Sequence, residues 1–130
     1  METVAPYLLV FVGAGLGGAL RLASNISLAR VLGADATWAT AIINVSGSLA
    51  MGLLFGWFAY KPGSEWTHTI RLFVGTGVLG GYTTFSTFSL DAILLIERNE
   101  IGQALTYVVA SVVLGVVGLW AGIIFARSLA

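Results

Sequence analysis

Ten consecutive residues, Gly80-Gly81-Tyr82-Thr83-Thr84-Phe85-Ser86-Thr87-Phe88-Ser89, carry the strongest chemical signal in this chain. No charged residue falls between Arg71 and Asp91, so this run of glycines, hydroxyls and phenyl rings sits in a segment long enough to cross a bilayer. A backbone interruption at that depth leaves amide groups unsatisfied, which is tolerated only against protein or around a polar cavity. Broken spanning helices use freed carbonyls and amides to hold ions. The run therefore reads as an ion site.

Other polar residues converge on the same conclusion. A buried amide or hydroxyl without a partner costs about 2–7 kcal/mol, so each must be satisfied or functional. Thr40, Asn44 and Ser48 recur every four residues and form one stripe on a helix. Asn44 is the informative member, because its amide carries two donors on a rigid element. Tyr107 and Ser111 are likewise four apart and offer two hydroxyls. Thr83, Thr84, Ser86, Thr87 and Ser89 add more; bonding back to their own helix carbonyls is the bland alternative for each. Phe85 and Phe88 lie three apart and share a helix face. Such a pair is ordinarily core or lipid-facing, but ring edges are positive and can favour an anion in a dry place. No carboxylate is expected deep in any span, and Asp91 reads as an interfacial anchor. Cation pathways show acidic rings, whereas this inventory of donors and ring edges fits a small, strongly hydrogen-bonding anion. Arg21 suits the aqueous mouth, where it raises local anion concentration. Snorkelling or capping of carbonyls is its structural alternative, at a mid-helix cost of about 2.5–3.5 kcal/mol.

These groups need elements to hold them, and composition says which. The chain has 130 residues, 58% hydrophobic and 9% charged, with mean hydropathy +0.95. A soluble domain carries about 25% charged residues, so this is a membrane protein. Cysteine is absent, which removes disulfides, zinc–thiolate sites and thiol nucleophiles. The net charge of zero leaves no basic patch for nucleic acid. Met1-Glu2-Thr3 lacks the positive region of a signal peptide, so the first apolar segment is expected to remain. Four apolar segments, at about 6–31, 38–60, 69–96 and 101–125, approach the roughly 20 residues that span a bilayer. Gly33-Ala34-Asp35, Lys61-Pro62-Gly63-Ser64-Glu65 and Glu97-Arg98-Asn99-Glu100 connect them. The expected fold is all-α: a single four-helix transmembrane domain over residues 1–130, with the third helix broken at Gly80-Gly81.

Small residues four apart let helices approach closely in lipid. They occur as Gly13/Gly17, Ser48/Gly52/Gly56, Gly77/Gly81, Ser111/Gly115 and Gly118/Gly122. This is more than four helices need among themselves, which implies oligomerisation. Orientation follows the Lys/Arg bias between the two sides. Lys61, Arg71 and Arg127 fall on one side and Arg21, Arg30 and Arg98 on the other, a tie that gives no preferred orientation.

The Gly80–Ser89 run resembles the signature of the Fluc (CrcB) family of microbial fluoride channels. Asn44 within Ala41-Ile42-Ile43-Asn44-Val45-Ser46-Gly47 resembles the family's second-helix motif, and Gly17-Gly18-Ala19-Leu20-Arg21 its first-helix motif. The resemblance covers essentially the whole chain. It implies a fluoride-selective channel, not an enzyme, that exports fluoride passively through a bacterial inner membrane. It also implies an antiparallel, dual-topology homodimer with two pores. On this likeness Phe85 and Phe88 line the path, Asn44 and Thr40 face it, and Tyr107 and Ser111 flank it, with Ser86 and Thr87 interleaved. Arg21 sits in the vestibule, and the Gly80 and Thr83 backbone carbonyls hold a structural sodium ion. Leu22 departs from a common aromatic and Tyr82 from a usual apolar residue. A small proton-coupled multidrug or cation exporter has similar size, but it needs a buried first-helix carboxylate where this chain has only Arg21. An intramembrane enzyme would need a base near Ser86 or Ser89.

Overall fold

A computed structural model describes residues 4–33, 36–63 and 67–130. Four long apolar helical segments are present, at Ala5–Leu32, Thr37–Tyr60, His68–Glu97 and Ile101–Ser128. Met1–Thr3 lie outside the described residues, as do Ala34 and Asp35 of the first expected turn and Ser64 and Glu65 of the second. Helix is the physically required choice for such segments, because lipid offers no partner for a free amide or carbonyl.

Local chemistry fixes the ends. Helix α1 (Ala5–Leu32) opens with Pro6 in its first turn, where a missing N–H costs nothing, and stops at Gly33 with φ of 78°. Helix α2 (Ala36–Tyr60) follows. The third segment is composite. Its first half, α3 (residues 68–82), starts at an N-cap in which Thr67 accepts the Ile70 N–H at 3.3 Å. From Arg71 to Leu79 it is wound as a π-helix, in which the Gly80 N–H reaches the Gly75 carbonyl five residues back. Helix α4 (Phe85–Glu97) is its second half. Asn99, with φ of 60°, then turns the chain into α5 (Ile101–Ser128).

The break falls at Thr83–Thr84 and not at Gly80-Gly81, which is helical. Thr83 (ψ 161°) and Thr84 (φ −153°, ψ 120°) are extended. The glycines are needed for closeness instead: a Cβ on Gly81 would stand 2.5 Å from the Ala14 carbonyl oxygen. Helix α4 restarts because Thr84 is its N-cap, accepting the Thr87 N–H at 3.2 Å.

The helices pack chiefly as two pairs, α1 on α3 and α2 on α5. A Cβ on Gly17 would collide with the Val78 carbonyl, and one on Gly52 with the Leu119 carbonyl. Gly13 faces Gly77, and Gly56 faces Ala126. Most of the small-residue seams are thus used inside one chain, so those seams do not by themselves argue for an oligomer. Where α4 meets α2 and α5 lies a small core of Ala41, Leu95, Ala104 and Tyr107, with Trp38 and Phe88 packed on it. Much of the remaining surface is apolar, including Tyr7, Phe11, Phe85 and Trp120.

Candidate functional site at the helix break

Two cavities meet at the break. The first, about 260 Å³, is lined by Asn44 and Ser48 of α2, Thr83 and Thr84, Phe85 and Phe88 of α4, and Ser111 of α5. The second, about 250 Å³, is lined by Arg21 and Asn25 of α1, Thr40 of α2, and Thr84 and Thr87. Thr84 borders both.

Asn44 holds the break open. Its Nδ2 donates to the Thr84 carbonyl at 2.9 Å, and the Thr84 N–H donates to its Oδ1 at 2.7 Å. This paired contact replaces a turn of helix, because the Thr84 N–H would otherwise bond the Gly80 carbonyl four residues back. One Nδ2 proton stays uncommitted, since an amide nitrogen carries two. The Thr83 carbonyl also loses its regular donor, the Thr87 N–H, which caps on Thr84 Oγ1. Arg21 Nη1 approaches the Thr83 carbonyl at 3.4 Å. The arginine therefore both caps a freed carbonyl and lines the second cavity.

Hydroxyls crowd the same point. Thr84 Oγ1 donates to Thr87 Oγ1 at 3.1 Å and lies 3.3 Å from Ser86 Oγ. Thr83 Oγ1 donates to the Leu79 carbonyl at 3.0 Å and Ser89 Oγ to the Phe85 carbonyl at 2.9 Å, the local back-bonding expected of such residues. Ser111 Oγ differs: it is enclosed at the first cavity and has no partner. An enclosed hydroxyl without a partner is costly, and a cavity occupant is the natural way to satisfy it.

The aromatic groups form a chain. Phe85 and Phe88 have ring centroids 5.6 Å apart at 44°, and Phe88 lies 5.4 Å from Tyr107. Phe85 is 79% exposed in the single chain, whereas Tyr107 is fully buried. The Tyr107 hydroxyl donates to Asp91 Oδ2 at 3.1 Å. Asp91, half-buried six residues before the end of α4, thus also takes part in the α4–α5 packing. Thr40, 3% exposed, stands beside this pair. Tyr82 Oη lies 3.1 Å from Ser46 Oγ, so the departure at position 82 joins α2 to α3.

Thr40, Asn44, Phe85, Phe88, Ser111, Thr87 and Arg21 thus border one or other cavity. Ser86 is exposed at the start of α4, and Tyr107 sits behind Phe88. Asn25 was missed, and Asp91 was read without its Tyr107 partner. Asn25 carries a legible signal, an amide one turn from Arg21 in an apolar span, while Asp91 only makes sense once α4 and α5 are packed. Among the described residues no group of three or more His, Asp or Glu could hold a metal, so a bound cation would rely on backbone oxygens. The Gly80 carbonyl, freed by the diversion above, is a neutral oxygen of that kind, whereas the Thr83 carbonyl offers only the lone pair that Arg21 leaves uncapped.

Comparison with known proteins gives consistent matches. The family model described as "CrcB-like protein, Camphor Resistance (CrcB)" matches residues 8–123. A protein of Methylobacterium sp. strain 4-46, described as "Fluoride-specific ion channel FluC", is 59% identical over 112 residues, covering 86% of this chain and 88% of the relative. One of Nitrobacter hamburgensis, "Fluoride-specific ion channel FluC 2", is 55% identical over 123 residues, covering 95% and 98%. One of Rhodopseudomonas palustris, "Fluoride-specific ion channel FluC", is 53% identical with the same coverage.

Proposed function

The chain belongs to the CrcB family, and from that premise we propose how it works as a fluoride-specific ion channel. It is a multi-pass membrane protein and not an enzyme. Fluoride reaches the second cavity, where the Arg21 guanidinium raises its local concentration. It passes the Thr87 and Thr84 hydroxyls to the first cavity, where Ser111, the spare proton of Asn44 and the edges of Phe85 and Phe88 replace water. Thr40 and Ser86 extend the lining, and Tyr107, spending its proton on Asp91, braces Phe88. Beyond Arg21 these donors are neutral, so the ion is held weakly enough to leave again. The observation that carries the path is the enclosed, unpartnered Ser111 hydroxyl in a cavity shared with Asn44, Phe85 and Phe88.

The four helices form one transmembrane domain that works as an antiparallel homodimer. Phe85 lies bare at the break beside the exposed Ser86, and a second copy would cover them and complete the lining. Equal numbers of basic residues on the two sides let both orientations insert. A two-fold pairing in the membrane plane then yields two equivalent pores. In such a pairing the Gly80 and Thr83 carbonyls would help to hold a structural sodium ion, which would supply fixed positive charge to the assembly. Planar-bilayer recording tests the whole: a fluoride gradient should set the reversal potential and a chloride gradient should not. A reversal potential that follows chloride equally would rule this function out.

A further inference from the structure

The second cavity is lined by one polar side chain that the path above leaves idle. Asn25 lies one turn beyond Arg21 on α1, so both residues project from the same face. Its Oδ1 is enclosed without a partner, and among the described residues no group bonds its Nδ2. The contrast with Asn44 is direct, since that amide is committed to Thr84 through both its oxygen and its nitrogen.

We propose that Asn25 is a fluoride-contacting residue at the mouth of the path, donating Nδ2–H to the ion in the cavity it shares with Arg21 and Thr87. This rests on the channel function argued above. Two physical arguments support it. An amide in an apolar span is costly unless something satisfies it, and nothing in the fold satisfies this one. The orientation is also the favourable one. The amide could be turned over, but that would bury two donors in the enclosed space in place of one acceptor and aim the oxygen at an arriving anion. With Nδ2 outward, the cavity offers a neutral donor beside the guanidinium. The ion can then exchange water for protein in steps, without being trapped by a second full charge.

The test is fluoride efflux from proteoliposomes over a series of fluoride concentrations at constant ionic strength, with unfolding in detergent measured in parallel. Asn25→Leu keeps the volume and removes the donors. It should raise the half-saturating fluoride concentration about three- to tenfold, the worth of one neutral hydrogen bond, with the plateau rate and unfolding midpoint little changed. Asn25→Ser retains one donor and should fall between Asn25→Leu and the unmodified protein. A lowered plateau with no shift in half-saturation, or no change in any parameter for both variants, would overturn the proposal while leaving the channel function intact. Absence of fluoride flux from the unmodified protein would overturn both.

Discussion

Replacing Asn44 with Leu keeps the side-chain volume and deletes both bonds that hold Thr84 out of the helix. The Thr84 N–H and carbonyl, now bonded at 2.7 and 2.9 Å, would each lose a partner in a half-buried place. Two such groups left bare cost about 1–3 kcal/mol each. Partial exposure and the chance for the Thr84 N–H to swing back to the Gly80 carbonyl lower this, and about 2 kcal/mol is the expected loss of stability. Swinging back would also straighten the break and turn Phe85 and Phe88 away from Ser111. Reversible unfolding in mixed micelles should therefore show the destabilisation, and proteoliposome flux should fall at least about tenfold for a barrier raised by about 1.4 kcal/mol. Asn44→Asp should conduct less than Asn44→Ser, because it keeps the acceptor for Thr84 but sets a carboxylate against the anion. Unchanged unfolding and unchanged flux in Asn44→Leu would refute the claim that this amide builds the site.

Phe85→Ile and Phe88→Ile retain apolar bulk without the positive ring edge, so flux measured by a fluoride electrode should drop sharply while the assembly stays intact by gel filtration; wild-type flux in both would return the rings to packing. Replacing sodium by a bulky organic cation, after exhaustive dialysis, should lower the melting temperature or the flux, and indifference would count against the Gly80–Thr83 carbonyl site. Gly81→Val should destabilise more than Thr83→Ala in a thermal melt, because any Cβ at 81 meets the Ala14 carbonyl; the opposite order would show that the α1–α3 contact is not tight. Two lysines added to the C-terminal tail should bias insertion and reduce activity, and an oppositely biased copy should restore it. Labelling of a C-terminal tag on the unmodified protein from one side only would exclude dual topology.

The helical segments were legible in the sequence because lipid permits few alternatives, and apolar runs without charge mark them directly. The lining of the first cavity was legible as a set of residue types: Phe85, Phe88, Asn44 and Ser111 border it together. The position of the break was not. Glycine serves both a bent backbone and a close approach, and only the packed structure shows Gly81 against Ala14 and the extended residues at Thr83–Thr84. The cause of the break was equally hidden, since Asn44 acts on a backbone forty residues away. The partner of Asp91 was hidden, because the Tyr107 hydroxyl that engages it comes from the next helix. The glycine pairs were visible, yet which helices they join was not. Nothing in the residues of 71–79 announces π winding.

The most direct test of the central claim is passive fluoride release from proteoliposomes made with the purified protein, loaded with equal fluoride and chloride and opened electrically with a potassium ionophore. Rapid fluoride release that needs the ionophore, no matching chloride release, and loss of the fluoride signal in Phe88→Ile are the expected results. Release of both anions alike, or fluoride movement that requires a proton gradient and ignores the ionophore, would contradict a selective electrodiffusive path through the break.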